Sequence, residues 1–136
     1  MKNSTPVGKT KSAGFEFGLR KTFSIDPEHA WSFLLGEGLP VWLGTIPSGE
    51  LAEKKSYRTK EGTEGEVRIL KPGSHIRLTW KPKNEQTGSS VQVRVLDAKG
   101  KATIAFHHEK LRDAAHREQI ARHWNTVMDE ISKKLG

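Results

Sequence analysis

The stretch from Asp113 to Leu135 limits what this chain can fold into. At 3.6 residues per turn, Ile120, Trp124, Val127, Met128, Ile131 and Leu135 fall on one stripe. Arg122, Asn125, Asp129 and Lys133 fall on the opposite side. Asp113 can cap the start, and Lys133 and Lys134 suit the negative end of the helix dipole. No Gly or Pro interrupts the pattern before Gly136. About 23 helical residues span about 34 Å, the width of a small domain. A stripe of that length with a Trp at its centre needs a broad apolar partner surface. The rest of the chain must supply it.

The preceding segments read mostly as strands. FEFGLRKTFSI puts Phe15, Phe17, Leu19, Phe23 and Ile25 on one face, with Lys21 intruding. DPEHAWSFLL is a short helix, with Asp26 as N-cap, Pro27 in the first turn, and Ala30, Trp31 and Leu34 expected inward. LPVWLG is a second short helical turn presenting Trp42 and Leu43. LAEKKSYRTK is weakly apolar and heavily charged, which suits an edge strand. GEVRILKP places Val67 and Ile69 together. SHIRLTWKP alternates cleanly, with Ile76, Leu78 and Trp80 on one side. SSVQVRVLD puts Val91, Val93 and Val95 inside, and KATIAFHH puts Ile104, Phe106 and His108 inside. Short connections favour antiparallel pairing. The expected order is strand, two short helices, five strands and a long helix, an α+β fold whose sheet only the last helix can cover.

At 136 residues the chain suits one domain, expected over residues 15–136. Residues 1–14 are rich in Gly, Ser, Thr and Lys and read as a disordered basic tail. That tail carries Lys2, Lys9 and Lys11, three of the seven net positive charges. Elsewhere cations and acids are mixed, so no specific nucleic-acid site is expected. There is no cysteine, hence no disulfide framework or thiolate chemistry. No apolar run is long enough to insert in a membrane, and the first residues lack the apolar core of a signal peptide. A cytoplasmic location is expected.

The order of elements, together with WLG, GEVR, IRLTWKP, TIAFHH and REQIARHW, resembles the activator of heat-shock-protein-ninety ATPase homologue family. That family lies within the START-like, birch-pollen-allergen-like (SRPBCC) superfamily. The resemblance covers about Phe15 to Leu135. It implies a helix-grip fold, in which a curved antiparallel sheet wraps around the C-terminal helix and two short helices close one end. It also implies a cavity between sheet and helix, which relatives use for lipids, sterols, polyketides or plant hormones.

Trp42, Trp80, Phe106, His108, Arg117, Trp124 and Met128 are the candidate cavity residues. The Trp rings offer apolar surface with N–H groups that need partners. His108 ends the Ile104–Phe106 stripe. Arg117 is a cation near the apolar stripe in the first helical turns, where the dipole disfavours it, and it calls for an acidic partner, exposure or a ligand. No metal is expected. His107 and His108 are adjacent on a strand and point apart, and His116 and His123 lie about two turns apart on the helix. No phosphate-cradling glycine loop, Ser/His/Asp set or cofactor motif is present. The expected function is a non-catalytic binding module for a hydrophobic or amphipathic small molecule, without a cofactor. The alternatives are a co-chaperone-type interaction domain with a chaperone or other protein partner, and a small pocket enzyme using His108 as general base.

Overall fold

The computed structural model describes residues 9–10, 14–47 and 50–135. Most of the expected basic tail lies outside the described residues. Within it, Lys9–Thr10 (β1) pairs with Phe15 and Gly14 at the start of β2 (Gly14–Phe23). Two short helices follow, α1 (Pro27–Leu35) and α2 (Leu39–Trp42). Then come β3 (Ser56–Arg58), β4 (Glu64–Lys71), β5 (His75–Trp80), β6 (Ser89–Ala98), β7 (Lys101–Leu111) and α3 (Ala114–Leu135). The strands form one antiparallel sheet in the order β1-β2-β7-β6-β5-β4-β3. This is the expected helix-grip α+β architecture.

Asp26 and Asp113 cap their helices as the sequence implies. Asp26 Oδ1 accepts from His29 N at 2.7 Å, and Asp113 Oδ1 accepts from His116 N at 2.8 Å. On α3 the buried residues are His116, Ile120, Trp124, Val127, Met128 and Ile131. They meet the inward faces of β5, β6 and β7, namely Ile76, Leu78 and Trp80, then Val91, Val93 and Val95, then Ile104, Phe106 and His108. Lys21, the cation on the inward face of β2, reaches α3 and donates to Ser132 Oγ at 2.7 Å. No described helix is long and apolar enough to cross a bilayer.

Two local expectations change. In α1 the core positions are Ala30, Phe33 and Leu34, and Trp31 is only half-buried. The i, i+3, i+4 spacing selects Phe33, and Trp31 falls to the flank. In β4 a register shift between Val67 and Ile69 inserts one residue. The period of two is thereby reset, and Leu70, paired with Ile76, packs on the core in place of Ile69. A second shift lies between Phe15 and Phe17 on β2. Each such irregularity bends its strand locally and increases its twist.

Gly65 marks the tightest approach in the sheet. A Cβ there would lie 2.0 Å from the Thr79 carbonyl oxygen. Tyr57, its partner on β3, donates its hydroxyl to that same oxygen at 2.7 Å.

Candidate functional site

The centre of the helix–sheet interface holds a polar relay inside an aromatic stack. Phe106 and Trp124 stack with ring centroids 4.4 Å apart. Trp124 Nε1 lies 3.0 Å from His108 Nδ1. An indole N–H can only donate, so Nδ1 accepts and carries no proton. The neutral ring then holds its proton on Nε2, which donates to Ser89 Oγ at 2.6 Å. Ser89 passes its hydroxyl hydrogen toward the Trp80 carbonyl at 3.4 Å. His108 is 0% exposed. Burial pushes its pKa down to about 3, with the neighbouring His116, His123 and His107 adding to the effect. Both ring nitrogens are used and neither is an available base, so the geometry gives no support to His108 as a general base.

That state has a measurable consequence. The folded pKa lies below the unfolded one, so the unfolded chain binds a proton that the native protein refuses. The stability contributed by neutral His108 is complete above about pH 6.5 and is lost as pH falls toward about 3. The slope is about 1.4 kcal/mol per pH unit per proton. His116 and His123 are also held low, chiefly by burial, and act with the same sign. Gln can accept from Trp124 and donate to Ser89 without titrating. Urea titrations of His108→Gln between pH 7 and 4 should show a slope shallower by about one proton than in the parent.

The other candidate residues fall into three settings. Trp42, Phe106, Trp124 and Met128 are core residues, each 5% exposed or less. Trp42 Nε1 donates to the Leu34 carbonyl at 2.8 Å, so its polar end is also occupied by the protein. Arg117 does not join them. Its Nε donates to the Glu16 carbonyl at 2.7 Å, and its guanidinium lies over Phe17, 5.4 Å from the ring centroid. Arg117 therefore ties α3 to β2 and provides no cation beside His108. Trp80, at the strand end, borders two open clefts, and Phe106 also lines a hollow on the far face of the sheet.

One such cleft, of about 420 Å³, lies between the end of β5, the loop after it, and the first half of α3. Trp80 and Ile120 give it an apolar floor, and Glu61, Lys83, Glu85 and Gln119 stand around it. His116 and His123 also line it. His116 Nδ1 accepts from Arg112 N at 3.1 Å, which leaves its proton on Nε2. His123 sits against Trp124 and Trp80, with centroid separations of 4.8 and 5.7 Å. Its Nε2 is buried without a hydrogen-bond partner among the described residues. An ion pair between Arg112 and Glu85 holds the loop in place. The site can therefore offer an apolar wall and neutral imidazole groups to a ligand. Sequence reasoning weighed His116 and His123 only as metal ligands. Their signal was positional, because His116, Ile120 and His123 continue the Trp124 stripe at helical spacing.

Glu16, His107 and Glu109 also converge, with donor atoms within 4.8 Å of one another on the outer face of the sheet. The His107 ring divides its nitrogens between the two carboxylates, at 3.1 Å to Glu16 and 3.8 Å to Glu109. Arg77 holds Glu109 at 2.8 Å. The group reads as an ion-pair cluster with its own counter-cation.

No protein-family model matches the sequence, and no curated protein matches it. Solved structures do match. CalU16 from Micromonospora echinospora is 14% identical over 93% of this chain and 81% of that one, with a TM-score of 0.77. The AHSA1 protein from Silicibacter pomeroyi is 18% identical over 88% of this chain and 96% of that one, with a TM-score of 0.70. This chain has the fold of the AHSA1 proteins. An HSP90 activator from Plasmodium falciparum shares it at 18% identity, over 82% of this chain and 88% of that one, with a TM-score of 0.62. At these identities the AHSA1 likeness concerns the fold, and function must be argued from the site.

Proposed function

We propose that the protein is a non-catalytic binding domain for an amphipathic small molecule, held in the cleft between Trp80 and the first half of α3. The observation that supports this most directly is the unpartnered, buried His123 Nε2 beside a cleft of about 420 Å³ that has Trp80 and Ile120 in a largely polar lining. A buried polar atom without a partner is costly, and a ligand hydroxyl or amide would relieve it. The volume suits a ligand of modest size. With Arg117 engaged elsewhere, no fixed Arg favours an acidic head in this cleft.

The test combines two measurements. Native mass spectrometry of protein purified from its own host should show a copurifying small molecule. Titration of that molecule, or of medium-chain and aromatic alcohols, should change tryptophan fluorescence. His123→Phe fills the cleft and removes the nitrogen, and should weaken binding by about tenfold or more while leaving the unfolding midpoint nearly unchanged. Equal binding by parent and variant would remove the cleft from consideration.

A second reading, a co-chaperone-type interaction domain, draws support from the fold shared with the HSP90 activator. It requires this chain to stimulate an HSP90 ATPase, with His123→Phe as active as the parent.

A further inference from the structure

The face of the sheet turned away from α3 carries a second hollow, of about 410 Å³. Strand register builds it. Arg20 on β2, Ala105 on β7 and Arg94 on β6 are cross-strand partners in one row, which continues to His75 and Lys71. The adjacent row runs Gly18, His107 and Gln92. Gly18 and Ala105 leave the floor low, and the two arginines stand on either side of it. Two strand spacings separate Arg20 from Arg94, about 10 Å between backbones, close enough for two long side chains to reach one group.

Three observations point to an anion. Neither Arg20 nor Arg94 has a carboxylate within ion-pair distance among the described residues, whereas Arg58, Arg68, Arg77 and Arg112 each have one. The row they share contains no acid. The carboxylates nearest along this face, Glu16 and Glu109, are engaged by His107 and Arg77, and neither lines the hollow.

Gly18 supplies a separate argument. It lies inside a ten-residue strand, where glycine costs stability relative to alanine. A Cβ there would meet nothing closer than 3.8 Å, and its φ is not in the left-handed region. Neither packing nor backbone geometry requires glycine at this position. What the missing side chain does provide is an open side to the hollow next to Arg20 on β2, a known use of glycine where a ligand approaches a strand.

We infer that this hollow binds the phosphate monoester group of a small molecule, clamped between Arg20 and Arg94. A carboxylate is satisfied by one guanidinium fork. A tetrahedral dianion has oxygens enough for two, and Gln92 can donate another hydrogen bond. The site lies on the opposite side of the sheet from the α3 cleft and does not depend on the proposal made for it.

The test uses the full chain, with inorganic phosphate, phenyl phosphate, benzoate and a short single-stranded DNA as probes, followed by NMR titration. Phenyl phosphate should bind at least about fivefold more tightly than benzoate and shift the amides of residues 18–20, 92–96 and 105–107. Arg20→Ala and Arg94→Ala should each weaken it by about tenfold. Gly18→Val should abolish binding without lowering the unfolding midpoint, because both arginines and the fold remain. Binding of phenyl phosphate unaffected by all three variants would overturn the assignment. So would equal affinity for benzoate. Tighter, strongly salt-dependent binding of the DNA would replace it with a nucleic-acid surface.

Discussion

Trp124→Ala should lower the free energy of unfolding by about 3–5 kcal/mol, near the upper end of that range. The substitution empties the centre of the α3–sheet interface, where the indole is 1% exposed and stacked on Phe106. It also leaves His108 Nδ1 buried without its donor. That orphaned acceptor adds about 1–3 kcal/mol to the packing loss. Trp124→Phe separates the two contributions, since it keeps much of the stack and removes only the N–H and part of the volume. Urea titrations with an unchanged slope should place the Phe variant between parent and Ala variant. A loss below about 1 kcal/mol for Trp124→Ala would mean that the stripe does not carry the core.

Gly65→Ala should cost about 3 kcal/mol, for an opposite reason. The added methyl would sit 2.0 Å from the Thr79 oxygen and 2.7 Å from its carbonyl carbon. Both are backbone atoms, so no rotamer change can make room, and β4 must move from β5. The motion also weakens the hydrogen bonds from Tyr57 and Glu66 to Thr79, at 2.7 and 2.8 Å. Hydrogen exchange should show β3 losing protection before the rest of the sheet, because among the described residues it is an edge strand paired with β4. Gly18→Ala is the internal control and should be neutral or stabilising by about 0.5–1 kcal/mol. Equal losses at the two glycines would show that strand propensity, and not contact, governs both.

The same contrast shows what a sequence can disclose. Ile104, Phe106, His108 and Trp124 were legible because a period of two and a period of 3.6 each survived over a long uninterrupted run. Ile69 was misplaced because one extra residue in β4 exchanges the two faces, and a shift of register leaves no mark in composition. Trp31 reads as inward from its three-residue spacing to Leu34, but Phe33 completes the i, i+3, i+4 set with Ala30 and Leu34 and takes the core position. The residues around the clefts were harder still. His108 was correctly placed on the inner face, but its pairing with Ser89 depends on the register of β6 against β7. The pairing of Arg20 with Arg94 depends on the register of three strands. His116 and His123 were passed over because distance along a helix was weighed against one chemistry, metal chelation, and not against the strand end they face.

The relay from Trp124 through His108 to Ser89 also fixes a position. An apolar stripe is a poor ruler, since a helix held by dispersion alone can slide one turn, about 5.4 Å, and meet similar surface. Here such a slip would pull the indole N–H off the imidazole and strand polar atoms in a dry interior. The relay therefore acts as a detent with one setting for α3 along its axis. The cleft at Trp80 is formed by side chains 116–123 of that same helix against a loop of the sheet. Its shape is indexed by a buried bond whose donor is the next residue along the helix, so the alignment of its walls is settled by folding.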